Sequence, residues 1–135
     1  MKPSLKKGFS IIELIFVIAV LGIIAAVAVP KLLDSRSSAL ATTIKQDIST
    51  ITNSIQSYYM LKGKLDDITT SVTINSNTWN TENNKTVIFP RTGNSCVTIK
   101  IEDKELKVDI DESNETEVCT KIRQSGISDS TYKLY

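Results

Sequence analysis

The stretch from Phe9 to Val29 leaves this chain the fewest choices. It reads FSIIELIFVIAVLGIIAAVAV, and from Leu14 to Val29 sixteen residues in succession are apolar or glycine. As a helix, its 21 residues would reach roughly 31 Å, the thickness of a bilayer's hydrocarbon core. One residue resists that environment. Glu13 places a carboxylate near the start of the run, where insertion costs a few kcal/mol and nothing within the run can pair with it. Before the run comes MKPSLKKG, short and basic, with Lys2, Lys6 and Lys7. Those lysines are expected to hold the N-terminus in the cytoplasm and to place everything after Pro30 outside.

Three readings fit an apolar run at this position. A secretory signal would be cut after it, and Ala26-Val27-Ala28 has the small-x-small form of such a site. A plain anchor would not be cut. A prepilin-type signal is cut before the run, and Glu13 separates it from the others, because neither of the other two gains from a buried acid. The pattern K-K-G-F-S-I-I-E-L, a basic leader, a glycine, an aromatic and a glutamate at the fifth mature position, resembles the type IV pilin and type II secretion pseudopilin superfamily. The close match covers about Lys6 to Lys31.

The resemblance implies cleavage between Gly8 and Phe9 by a membrane prepilin peptidase, followed by N-methylation of the Phe9 amine. It also implies that Glu13 pairs with the Phe9 amine of a neighbouring subunit. Elementary electrostatics agrees: each charge alone is costly in lipid, and docking two subunits satisfies both and fixes their register. Pairing within one chain is the alternative. Gly22 lowers helical preference, and Pro30 removes a hydrogen bond and crowds the carbonyl of Ala26. In filaments of this family the stretch between such residues can lose helicity, so Gly22–Pro30 is either a melting segment or a bent, continuous helix.

Beyond Pro30 the pattern becomes amphipathic. Leu33, Leu40, Ile44, Ile48, Ile51, Ile55, Tyr58 and Tyr59 recur at helical spacing, with Arg36, Lys45, Asp47 and Asn53 between them. The spacing predicts a helix to about Leu61, with Gly63 as its C-cap, and an apolar stripe that needs a cover. From Asp66 to Asn84 the chain is rich in Thr, Ser and Asn, mostly loop, with room for a short strand at Val72–Ile74. Trp79 is expected to pack over the helix or a sheet edge. Lys85–Phe89, ended by Pro90, then Cys96–Ile101 and Glu105–Ile110 carry strand signals, the last two alternating and joined across Glu102-Asp103-Lys104. Glu115–Gln124 reads as a short helix or turn ended by Gly126. The expected fold is α+β and pilin-like: a long N-terminal helix packed on an antiparallel sheet of about three strands. Its parts are a cleaved leader (1–8), a membrane or filament-core helix (9–30), an amphipathic continuation (31–62) and a β-rich head (63–135).

Chemistry is narrowed by what the chain lacks. Its 135 residues include no histidine, which removes His-based general bases, Ser-His and Cys-His pairs and the commonest metal ligand. Without the three leader lysines, 13 basic side chains face 15 acidic ones, a net of −2 with no footprint for wrapping nucleic acid. Cys96 and Cys119, the chain's two cysteines, suit a disulfide in an oxidising compartment, with two buried thiols as the alternative. The bond would close about 24 residues and contribute roughly 3–3.5 kcal/mol in the chain-entropy model. It resembles the disulfide-bounded C-terminal loop of many pilins; most major pseudopilins of type II secretion lack one.

Two weaker signals remain. Asp109, Asp111, Glu112, Glu115 and Glu117 supply hard oxygens, so Asp109, Asp111 and Glu112 are weak calcium candidates beside the simpler reading of a solvated acidic loop. Glu82-Asn83-Asn84-Lys85-Thr86 and Glu112-Ser113-Asn114-Glu115-Thr116 both fit the acidic-x-Asn-x-Thr acceptor pattern for bacterial N-glycosylation, which makes Asn84 and Asn114 candidate sites in loops or at loop edges.

The expectation is therefore a structural subunit with no catalytic chemistry and no required cofactor. The resemblance implies its partners: copies of itself and other pilin-like subunits, the peptidase, and an inner-membrane assembly platform with its ATPase. Nucleic acid would be involved only indirectly, in a competence pseudopilus. The expected location is the bacterial inner membrane, single-pass, with a periplasmic head that enters a periplasmic or surface filament. Secretion or DNA-uptake pseudopilus, true pilus for adhesion or motility, and membrane-tethered binding module are the readings in contention.

Overall fold

The computed structural model describes residues 8–135; the leader lysines Lys2, Lys6 and Lys7 lie outside the described residues. Element order is α1 (Ile11–Lys62), a single 3-10 turn (Ile68–Thr70), β1 (Asn80–Glu82), β2 (Thr86–Phe89), β3 (Val97–Glu102), β4 (Glu105–Ile110), α2 (Glu117–Gln124) and β5 (Ser130–Lys133). The chain divides into two compact units, residues 1–36 and Ser37–Tyr135. The long helix α1 contributes to both.

In the first unit α1 is apolar on every side from Leu14 to Val29, and those side chains are exposed: Phe16 is 69% accessible and Ile23 71%. Leu33 is also exposed there, so it does not belong to the buried stripe that its spacing suggested.

In the second unit α1 buries one stripe, made by Ala41, Ile44, Ile48, Ile51, Thr52 and Ile55. Two members differ from the sequence pattern: Leu40 is exposed, while Thr52 is buried. Thr52 is tolerated there because its hydroxyl donates to the carbonyl of Ile48 at 2.7 Å. The helix ends where expected. Gly63 takes φ +71°, and its N–H donates to the Tyr59 carbonyl at 2.7 Å, a left-handed cap that L side chains rarely adopt.

The sheet covering this stripe has five strands where about three were expected. All neighbours are antiparallel, and the spatial order β1-β2-β3-β4-β5 follows the chain. The two added strands, β1 and β5, sit at the edges and are short and polar. Along β3 and β4 the alternation behaves as read: Val97 and Ile99 with Leu106, Val108 and Ile110 enter the core beside Ile44 and Ile55. The register pairs Glu102 directly with Glu105, which leaves a two-residue loop in place of the three residues assigned to it. Asp103 (φ +50°) and Lys104 (φ +62°) both adopt the left-handed region that a type I′ turn requires.

Val72–Ile74 forms no strand. Asp67 caps the 3-10 turn through its Oδ1, which accepts from Thr69 N at 2.8 Å, and Val72 N then donates back to Ile68 O. Local polar side chains capture the backbone before a neighbouring strand can. Trp79 is buried at 2% accessibility, its ring 5.6 Å from that of Phe89.

Candidate functional site

Most of the residues singled out by sequence fall in two places. The first is the start of α1. The first hydrogen bond here is Leu14 N to Ser10 O at 3.1 Å, so Gly8 and Phe9 precede the helix and their backbone is free of the helical ladder. Gly8 is exposed, and a side chain added at its Cα would meet no described atom within 4 Å. Phe9 beside it is exposed as well. Glu13 follows in the first turn, where the helix N-terminus favours a negative charge. Its carboxylate is exposed, surrounded by a run in which Ile11, Ile12, Ile15 and Phe16 are exposed as well. A helix apolar all round is stable only where lipid or other apolar helices surround it. This is the one helix among the described residues that is long and apolar enough to cross a membrane.

Gly22 and Pro30 both lie inside α1, and the backbone is helical throughout Gly22–Pro30 in the single chain. A side chain at Gly22 would meet no described atom, so its small size serves no packing within the chain.

The second place is the C-terminal part of the head. Cys96 and Cys119 are joined, with Cα atoms 5.8 Å apart, and both are buried. The bond ties α2 to the residue before β3. Around it stands a polar bracket that no sequence motif indicated. Asn114 is buried at 6% accessibility, and its Nδ2 donates to the carbonyls of Asn94 and Ser95, both at 3.0 Å. Its Oδ1 accepts from the Thr116 backbone at 3.0 Å and the Thr116 hydroxyl at 2.7 Å. From the other side, Arg123 Nη1 donates to the carbonyls of Asp111 at 2.9 Å and Asn114 at 2.8 Å. Asn114 therefore does not sit at an exposed loop edge; it is the strut of that loop.

The acidic residues of this region are used locally. Asp111 Oδ1 accepts from both the backbone and the hydroxyl of Ser113, at 2.8 and 2.6 Å, and those bonds hold its carboxyl below the usual aspartate range. Asp109 lies on the outer sheet face, 4.0 Å from Lys100. Glu112 is exposed beside them. No group of three or more His, Cys, Asp or Glu gathers among the described residues. Asn84, the other candidate acceptor, is exposed in the turn between β1 and β2 with φ +59°.

Comparison with known proteins bears on the N-terminal end of the chain. Residues 3–29 match the prokaryotic N-terminal methylation motif, the prepilin cleavage signal of type IV pilins and pseudopilins. With this signal, an apolar N-terminal helix and a small antiparallel sheet, the chain has the α+β layout of a pilin-like protein. The motif implies processing by a prepilin peptidase and assembly with other pilins. No curated protein and no solved structure matches the chain.

Proposed function

We propose that this protein is a structural subunit of a helical filament, and specifically a pseudopilin of a type II secretion or DNA-uptake pseudopilus. In this reading the leader is removed at Gly8, Phe9 is methylated, and the Phe9–Val29 helices of many copies gather at the filament centre. A separate motor hydrolyses ATP, and the subunit performs no catalysis. The head stands in the periplasm while the N-terminus begins in the cytoplasm. The observation that carries the reading is the exposed apolar helix interrupted by a single carboxylate. Glu13 has no partner of opposite charge within its run, and the new ammonium of an adjacent copy's Phe9 would supply one.

The preference for a pseudopilus over a pilus for adhesion or motility rests on the small head. The disulfide leans the other way, since most major pseudopilins of type II secretion lack it. A membrane-tethered binding module is the reading that Glu13 supports least.

The test pairs one substitution with one deletion. Glu13→Ala is expected to leave the protein processed and in the membrane but absent from sheared or detergent-extracted filaments. A deletion strain is expected to lose protein secretion or transformation while keeping surface motility. Normal filament incorporation of Glu13→Ala would overturn the assembly reading, and loss of motility alone would move the protein to the true pili.

A further inference from the structure

The two acidic-x-Asn-x-Thr segments differ in a way that the sequence hides. We propose that Asn84, and not Asn114, is an N-glycan acceptor, taking a glycan from a lipid-pyrophosphate donor outside the cytoplasmic membrane. This rests on the reading that the head lies beyond the membrane.

The chemistry sets the requirement. Nδ2 of the asparagine attacks the anomeric carbon of the donor sugar. The new N–C bond forms as the C–O bond to pyrophosphate breaks, the lipid pyrophosphate leaves with the electron pair, and the Nδ2 proton passes to a base of the transferase. A reactive amide must therefore be reachable, with its N–H groups free to be turned and held by the enzyme.

Asn114 fails on each count. It is buried, each hydrogen of its Nδ2 already goes to a carbonyl, and its Oδ1 holds the Thr116 hydroxyl that the acceptor pattern needs. Arg123 and the Cys96–Cys119 bond fix the same loop from behind. Releasing Asn114 would break the four hydrogen bonds its side chain makes across the loop.

Asn84 meets the requirement. It is exposed in a three-residue turn, and its side chain makes no hydrogen bond to any described residue, while its backbone carbonyl is anchored by Ile68 N at 2.8 Å. The register places Glu82 directly opposite Thr86, so the acid and the hydroxyl of the pattern share one face on either side of the asparagine. That face is the outer one, because Val87, the residue after Thr86 along β2, is fully buried and points the other way. The β1 side is an edge strand of three residues, the part of the sheet that gives way most easily to a partner.

The experiment expresses the full chain with a bacterial oligosaccharyltransferase and its lipid-linked glycan, and measures intact mass and glycopeptides. The same chain also carries a flexible acidic-x-Asn-x-Thr tail at its C-terminus as an internal control. The expected result is one glycan on the tail and one on Asn84. The second should vanish in Asn84→Asp, which tolerates the positive φ, and fall at least severalfold in Glu82→Gln. A modified tail with Asn84 bare, or any glycan on Asn114, overturns the assignment. A bare tail overturns the placement of the head, and the assignment with it.

Discussion

The indole Nε1 of Trp79 donates to Oδ2 of Asp47 at 2.9 Å, joining the Thr/Asn-rich segment to the helix it covers. Trp79 is 2% accessible, so this N–H has no recourse to water if its acceptor is removed. Asp47→Leu is expected to destabilise the fold by about 1–3 kcal/mol, and Asp47→Asn by less, because an amide oxygen still accepts. The chain has one tryptophan, so its fluorescence during urea unfolding in detergent reports the effect directly. Equal midpoints for wild type and Asp47→Leu would contradict the assignment.

The disulfide makes a second prediction. Cys96→Ala with Cys119→Ala removes a cross-link closing about 24 residues, and the expected loss is about 3 kcal/mol. Because both sulfurs are buried, reductant should cleave the native bond only as fast as the head opens. Raising the dithiothreitol concentration should then stop accelerating reduction once opening is limiting.

Acid should weaken the turn that Asp111 makes with Ser113. The hydroxyl and backbone N–H of Ser113 stabilise the Asp111 carboxylate, so its pKa is lower in the folded chain than in the unfolded one. The sign follows: this contribution is fully present above the unfolded value and is lost as pH falls through the folded one. Ser113→Ala should move the Asp111 carboxyl titration, followed by NMR, back up toward the usual aspartate range. Glu102 is held low by Lys107 and then Lys100, and its titration should rise in Lys107→Ala.

A fourth test concerns the helix interior. Pro30 leaves the Ala26 carbonyl without its usual donor, while the backbone around it stays helical. Pro30→Ala should therefore slow amide hydrogen exchange between Gly22 and Lys31 in detergent. If the filament needs this stretch to lose helicity, the same variant should assemble poorly although its monomer is more ordered.

How much of this could be read in advance depended on where each element's partners lie. The helix, β3 and β4 announce themselves because Ile44 to Ile55, and Val97 to Ile110, repeat at the periods their own backbones impose. Strands β1 and β5 do not. Asn80-Thr81-Glu82 and Ser130-Thr131-Tyr132-Lys133 are polar, nearly all exposed, and are strands only because β2 and β4 offer them hydrogen bonds. Asn114 misleads for a similar reason. Its tripeptide looks like a surface acceptor, whereas its amide partners, Asn94 and Ser95, stand about twenty residues back in the chain. At the N-terminus the opposite holds: Gly8, Phe9 and Glu13 are legible as a motif because all three lie within one short stretch of the chain.

The order of the strands has a kinetic consequence. Each one pairs with the strand immediately before or after it, so pairing from β1 through β4 proceeds between neighbours in the chain. The closures joining β1 to β2, β2 to β3 and β3 to β4 are short and entropically cheap, whereas β4 reaches β5 only across the span that holds α2. The β1–β4 meander can therefore zip hairpin by hairpin before β5 docks and covers the β4 edge.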